Sequence, residues 1–255
     1  MKPVSVQLYS LREASAADFD SVLDELADIG YAGVEPFDLY GKAPRDFRRQ
    51  VENLGMRISS SHTPWANRAP LDEVVNTLGE LGLTRAIGGF MPEDFADLDA
   101  VRRTADTCQT LIDQLQPQGF ELAIHNHWWE FEQVAGRPAM HHLEEMVPAL
   151  RYELDTYWAA NFGACNPAAE LARINAKAPL LHIKDGPLTK KQPNVALGQG
   201  LMNITDVITS ADTAALEWLI VELDACATDM MTAVRESYEY LTGEGLAAGR
   251  ERPGA

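Results

Sequence analysis

Two histidines, an asparagine and a glutamate follow one apolar run, ELAIHNHWWEF, over residues 121–131. Side chains alternate between the two faces of a strand, so His125 and His127 point the same way and Asn126 points the other. Glu130 follows three residues later. Imidazole and carboxylate groups bind divalent cations and transfer protons near neutral pH. This stretch therefore predicts a reactive site at the end of a strand.

Three further segments have the same form, a run with apolar β-formers that ends in polar residues: YELDTYW, LLHIKDG and LIVELDA. They supply Asp155, His182 with Lys184, and Glu222. Four such segments indicate a polar site built at the carboxyl ends of a parallel sheet. Anionic groups that share a pocket are costly unless a positive charge compensates them, and a metal ion is the simplest compensation. Oxygen donors with imidazole suit Mn²⁺, Mg²⁺, Co²⁺ or Zn²⁺.

Eight strand-like segments position these residues, and each is followed by a helical pattern or by a loop long enough to hold a helix. Parallel strands need such crossovers, and eight units favour an α/β fold of one closed (β/α)8 TIM barrel. No strand precedes GxGxxG or GxxxxGK[ST], the phosphate motifs of open nucleotide-binding sheets. We expect the barrel domain over residues 1–243. The segment 244–255 is rich in Gly, Ala and Arg without an apolar period, which predicts a flexible tail.

The charge balance limits the partners. The 255 residues contain 21 Lys and Arg against 38 Asp and Glu, a formal net charge of -17. This charge repels phosphate backbones and anionic lipid surfaces, so we expect no nucleic acid and no membrane as partner. Three scattered cysteines and the lack of a long apolar segment favour a cytoplasmic, soluble protein with reduced thiols. A homodimer is the commonest assembly for such a chain.

Several stretches resemble the sugar phosphate isomerase/epimerase family of xylose-isomerase-like TIM barrels. They are ELDTYW, HIKDG, the ALGQG turn and VELD followed by RESYEYL, within a resemblance that covers Val4 to Leu241. The resemblance implies one divalent cation, with Mn²⁺ expected first, bound at the ends of strands five to eight. Carried over, those positions are the HNHWWE stretch, Asp155, His182 and Glu222.

Strand five departs from the family pattern. Many members have Glu-Asn-His where this chain has His125-Asn126-His127, so either His125 or Glu130 is the fourth ligand. We assign Glu130, because it keeps the number of carboxylates and leaves a histidine for proton transfer. The chain resembles the branch with a His-Asn-His-x-x-Glu-Phe motif, which is linked to keto-sugars or keto-inositols.

Such a site would act on a keto-sugar or sugar phosphate. A cation that binds the carbonyl and the neighbouring hydroxyl of a hydroxy-ketone stabilises the enediolate formed on proton loss. Returning the proton gives epimerisation or isomerisation, and expelling a β-oxygen gives elimination. We assign the metal to Glu130, Asp155, His182 and Glu222; proton transfer to His125 and His127; a substrate oxygen or phosphate to Lys184; and the sugar pocket to Glu35, His62, Trp65, Trp128 and Trp158.

Other interpretations stay open from the sequence. The protein could be a lyase or dehydratase on a keto-sugar or keto-inositol, or a sugar-binding barrel without catalysis. A metal nuclease of similar fold would need a basic surface facing DNA, and the net charge argues against it. Among single residues, a strand-end histidine could simply bond a carbonyl, and Lys184-Asp185 could be a surface ion pair.

Overall fold

Eight parallel strands form the centre of the molecule. The computed structural model describes residues 1–251, and its barrel strands are β1 Lys2–Gln7, β2 Gly33–Glu35, β3 Arg57–Ile58, β4 Arg85–Gly89, β5 Glu121–His125, β6 Arg151–Asp155, β7 Leu180–Ile183 and β8 Trp218–Val221. Each lies close to a strand-like segment expected from the sequence.

The strands pair in the order β3-β2-β1-β8-β7-β6-β5-β4. Between β3 and β4, the residues that follow β3 complete the ring: the Ala66 N–H donates to Ile87 O at 2.8 Å. The Asn67 side chain exchanges two hydrogen bonds with the backbone of Gly89. The sheet is thus curled into a barrel, and the predicted (β/α)8 fold is confirmed.

Helices cover the outside of the sheet. They are α1 Arg12–Ile29, α2 Pro44–Asn53, α3 Leu71–Leu81, α4 Leu98–Leu115, α5 Ala139–Met146, α6 Thr156–Ala159, α7 Pro167–Ile174, α8 Ile204–Thr209 and α9 Met230–Gly243. Their apolar faces pack on the outer face of the strands and form the main hydrophobic core. Among residues 1–251, no helix is long and apolar enough to cross a bilayer.

A small apolar layer fills the barrel beneath the polar site. It contains Ala123, Leu180 and Ile220, all buried together with Ile87 and Trp218. Each of the first three precedes a predicted site residue by two positions, namely His125, His182 and Glu222. Because side chains alternate along a strand, the same inward face is apolar at one level and polar at the next. The layer closes the barrel from below and so gives the site a dry floor.

The end of the described chain packs against the start. Ala247–Ala248 pair in parallel with Lys2 and Pro3. The Arg250 guanidinium donates to Leu54 O and Ala27 O at 2.7 and 3.0 Å. The segment 244–255, predicted as a flexible tail, therefore makes backbone and side-chain hydrogen bonds up to residue 250, and its flexibility stays a prediction. Residues 252–255 lie outside the described residues.

Candidate active site

The strand register brings the predicted ligands to one level at the carboxyl end of the barrel. Asp155 pairs with His182 across β6 and β7. His125 pairs with Glu153 across β5 and β6, and His182 pairs with Ile220, two residues before Glu222. All of these side chains are buried. Residues far apart in sequence thus share one polar layer above the apolar floor.

Four of these residues form a group with the geometry of a cation site. His125, Asp155, His182 and Glu222 each offer one ligand atom, and these atoms lie within 4.8 Å of one another. Asp155 Oδ2 is buried and has no hydrogen bond within residues 1–251, although Lys184 Nζ lies 2.9 Å away. Buried polar atoms are normally satisfied, and a bound cation would satisfy this one. The residues present therefore fit a divalent cation.

Two buried carboxylates stand behind the imidazoles of this group. His182 Nε2 lies 2.8 Å from Glu35 Oε2, and His182 Nδ1 lies 2.7 Å from Glu222 Oε2. His125 Nδ1 is 3.4 Å from Glu153 Oε2. A carboxylate that accepts one ring N–H fixes the tautomer and leaves the other nitrogen free to coordinate a metal. Glu35 and Glu153 are placed to orient the two imidazoles in this way.

A third imidazole, that of His62, joins the carboxylates. Its Nε2 lies 2.5 Å from Glu153 Oε2 and 3.2 Å from Glu35 Oε1. Burial raises the pKa of Glu35 to about 7, with Glu153 adding to the effect. Burial also acts to raise the pKa of Glu153, but the neighbouring His62 and His182 outweigh it and hold this pKa well below its ordinary value. The network therefore keeps at least one buried anion among three imidazoles. Together with His125 and His182, these residues include a second candidate cation group, His62, His125, Glu153 and His182.

Lys184 compensates the carboxylates from the other side. Its ammonium lies 2.9 Å from Asp155 Oδ2 and 2.8 Å from both Glu222 Oε2 and Asp224 Oδ2. An ammonium has three N–H donors, so its charge is committed to these three acids. Lys184 and Asp185 are both fully buried, and the surface ion pair considered from the sequence is wrong.

Glu130 lies apart from the four-residue group. Its Oε2 accepts the backbone N–H of His127 at 2.9 Å, and only 1% of the residue is exposed. Burial raises the pKa of Glu130 to about 8. Of the two candidates for the fourth ligand, His125 lies within the four-residue group, whereas Glu130 stabilises the loop that follows β5.

A cavity of about 230 Å³ opens above the polar layer. Its lining consists of Tyr9, Phe37, His62, Trp65, His125, His127, Glu222 and Asp224. His127 stacks on Trp129 with ring centroids 4.2 Å apart, and burial lowers its pKa to about 3, with Lys184 contributing. The cavity thus has an aromatic wall and a floor of imidazoles and carboxylates.

Trp128 and Trp158 lie in a neighbouring aromatic cluster. Their ring centroids are 5.2 Å apart, and both rings contact Phe162. Lys184 Nζ lies 5.2 Å from the Trp158 ring centroid. Of the five residues predicted for the sugar pocket, His62 and Trp65 line the cavity, Glu35 lies buried beneath it, and these two tryptophans border the site from the side of β5 and β6.

The family profile described as xylose isomerase-like TIM barrel matches residues 23–243. The chain belongs to this family. Inosose dehydratase of Geobacillus kaustophilus (strain HTA426) is 26% identical over 191 residues, 65% of this chain, and the match spans only 61% of that relative.

Solved structures of xylose isomerase-like barrels are also similar. A sugar phosphate isomerase/epimerase from Parabacteroides distasonis ATCC 8503 aligns over 97% of this chain and 96% of its own, with a TM-score of 0.82 and 22% identity. A D-allulose 3-epimerase from Methylomonas sp. in complex with D-allulose aligns over 95% and 98%, with a TM-score of 0.68 and 15% identity. These likenesses establish the fold.

Within this xylose isomerase-like barrel, sequence reasoning missed four residues. Glu153 lies two positions before Asp155, so the alternation along β6 already places both on the inward face. Asp224 lies two positions after Glu222 and lines the cavity. Tyr9 and Phe37 follow β1 and β2 and carry no motif, so only the closed ring reveals their place in the cavity wall.

Proposed function

We propose that this barrel is a divalent-metal-dependent isomerase or epimerase acting on a keto-sugar or related cyclitol. The observation that carries the proposal is the buried group of His125, Asp155, His182 and Glu222 within 4.8 Å. Two carboxylates and two imidazoles form a donor set of intermediate hardness, for which Mn²⁺ is the first candidate. A cation held there would polarise the carbonyl and hydroxyl oxygens of a hydroxy-ketone and lower the cost of enediolate formation.

The proposed ligand set takes His125 rather than Glu130. His125 belongs to the group by distance, and its Nδ1 faces Glu153. Glu130 instead accepts a backbone N–H of its own loop. Replacing a carboxylate by an imidazole lowers the anionic charge of the set by one, and the site still contains Glu35, Glu153 and Asp224 as further acids.

The proton-transfer role falls to His127 in this proposal. Its ring lines the cavity, and within residues 1–251 its Nδ1 has no hydrogen-bond partner. A neutral imidazole accepts a proton from a carbon acid and returns it. Stacking on Trp129 fixes the plane of the His127 ring.

Lys184 has an electrostatic role in the proposal. Its ammonium draws Asp155, Glu222 and Asp224 together and lowers the mutual repulsion of these acids. The aromatic rings of Tyr9, Phe37 and Trp65 form the cavity wall and offer flat apolar surfaces to the C–H faces of a sugar ring.

Dehydration is the second candidate reaction, because the one curated relative described above is an inosose dehydratase with 26% identity. The two reactions share the first step, loss of a proton beside a carbonyl, and differ in whether a β-oxygen then leaves. Proton NMR in deuterated water separates them. Carbon-bound deuterium with retained hydroxyls supports epimerisation or isomerisation, whereas loss of a hydroxyl with a new unsaturated carbonyl supports dehydration.

The metal site itself is tested by elemental analysis of protein purified without chelator or affinity metal. We expect one divalent ion per chain in the wild type, loss of the ion in Asp155→Ala and His125→Ala, and retention in Glu130→Ala. Loss in Glu130→Ala with retention in His125→Ala would return the fourth ligand to Glu130. A wild type that binds no metal even after soaking with Mn²⁺ would overturn the proposal that the protein is a metal-dependent enzyme. It would favour a sugar-binding barrel without catalysis.

A further inference from the structure

The glycine-rich loop after β7 closes around the chain's own carboxylate. Asp185 is fully buried and accepts four backbone N–H groups. Gly186 and Met202 donate to Oδ1 at 2.8 and 3.0 Å, and Gly198 and Gly200 donate to Oδ2, both at 3.0 Å. A Cβ on Gly200 would lie 2.1 Å from Asp185 Oδ1, so the close approach requires glycine there. Converging backbone N–H groups of this kind form a nest for an anion.

Barrels of this architecture frequently bind a substrate phosphate with the loops after strands seven and eight and a helix N-terminus. In this chain the N–H groups of the first loop are taken by Asp185. After β8, the Asp229 side chain accepts the backbone N–H and the hydroxyl of Thr232 at the start of α9, both at 2.8 Å. Internal carboxylates therefore accept the backbone N–H groups of the loop after β7 and one backbone N–H at the start of α9.

The positive side chains near the cavity have hydrogen-bond partners within the chain. Lys184 faces three carboxylates, as described above. Arg12 donates to Tyr9 O at 2.8 Å, and Arg68 donates to Gly89 O at 2.8 Å. Of the residues within 1–251 that line the cavity, none is Lys or Arg, and two, Glu222 and Asp224, are acids.

We infer that the substrate is an uncharged keto-sugar or cyclitol without a phosphate group; this rests on the proposed function. A phosphate monoester carries about 1.5 to 2 negative charges at neutral pH. It would enter a cavity whose lining contains Glu222 and Asp224 and, within residues 1–251, no Lys or Arg, and it would find the N–H groups of the loop after β7 already bonded to Asp185. An uncharged polyol, in contrast, donates its hydroxyls to those same carboxylates and stacks on the aromatic wall.

The test compares free ketohexoses, ketopentoses and inososes with their phosphate monoesters, using carbon-hydrogen exchange in deuterated water and the Mn²⁺-loaded full chain. We expect exchange with at least one free compound and a kcat/KM at least about tenfold lower for its ester, because of charge repulsion. An ester that exchanges faster than its free parent overturns the inference and leaves the proposed function standing.

A second arm does not depend on the identity of the sugar. Inorganic phosphate is titrated into Mg²⁺-loaded protein by calorimetry, and we expect no saturable heat. If neither panel exchanges, the proposed function fails, and this titration alone decides the charge preference. Saturable phosphate binding that is lost in Arg68→Ala would overturn the inference by identifying a phosphate site at the cavity rim.

Asp224→Asn gives a variant test with a matched control. Removing this carboxylate should raise the ratio of ester to free-sugar kcat/KM severalfold, because it removes a negative charge from the cavity lining. Asp99→Asn changes the net charge equally on α4, where the Asp99 side chain is 75% exposed, and should leave the ratio unchanged. An equal rise in both variants would assign the preference to net charge and overturn the local explanation.

Discussion

Replacing Glu130 by glutamine removes a carboxyl group that the fold keeps almost completely from water. Burial raises the pKa of Glu130 from 4.5 to about 8, so the folded state holds this proton more tightly than the unfolded state. Stability is therefore fully present below about pH 4.5 and falls as the pH rises through 8. Each pH unit between 4.5 and 7 lowers the free energy of unfolding by about 1.4 kcal/mol, which gives a loss of roughly 3 kcal/mol at pH 7.

Glutamine retains an acceptor for the His127 N–H and carries no charge, so Glu130→Gln should stabilise the metal-free protein by roughly 3 kcal/mol at pH 7. In thermal unfolding this corresponds to a rise in Tm of roughly 6 to 12 °C. Near pH 4.5 wild type and variant should be about equally stable. Urea unfolding with chelator present, at these two pH values, measures the difference.

Glu132→Gln is the matched control, because the Glu132 side chain is 55% exposed and should change stability by less than about 0.5 kcal/mol. Equal stability of Glu130→Gln and wild type at both pH values would refute the argument that burial holds this proton. A variant that loses its bound metal and becomes less stable would make Glu130 a ligand, as assigned from the sequence.

Three further predictions concern the network, the metal and the tail. Glu153→Gln should destabilise the fold by about 3 to 5 kcal/mol in urea unfolding, because it leaves the neighbouring imidazoles without their anion; a loss below about 1 kcal/mol would contradict this. Chelation should lower Tm in the wild type but not in Asp155→Ala, since a metal at about 100 times its Kd adds about 2.7 kcal/mol. Arg250→Ala should cost about 1 to 2 kcal/mol by loss of two hydrogen bonds, and an unchanged Tm would show that the segment contributes nothing.

The fold was predictable because the apolar runs and the glycine-ended helical patterns alternate in a regular way. The four ligand-bearing segments were predictable for the same reason, since parallel strands end at one rim. The order of the strands decides which residues become neighbours. β1 lies beside β8, and Glu35 forms a hydrogen bond with His182 although 147 positions separate them. No local pattern encodes that contact.

Glu130 shows the opposite case. Its spacing and charge are typical of a ligand, and only the turn Trp129–Phe131 shows that its side chain folds back to the His127 N–H. The role of Asp185 as an acceptor of backbone N–H groups was also not predictable, because its four donors come from residues up to 17 positions away. A carboxylate that serves the backbone and one that serves a metal have the same sequence signature.

The pairing of Ala247–Ala248 with Lys2 and Pro3 has a consequence for engineering. These two segments lie side by side at the amino end of the strands, while the candidate site occupies the carboxyl end. Neighbouring segments can be joined by a short linker and the chain opened at an exposed loop, which is the requirement for circular permutation. A carrier or surface anchor fused after residue 251 would start from the opposite end of the barrel and leave the mouth of the cavity clear.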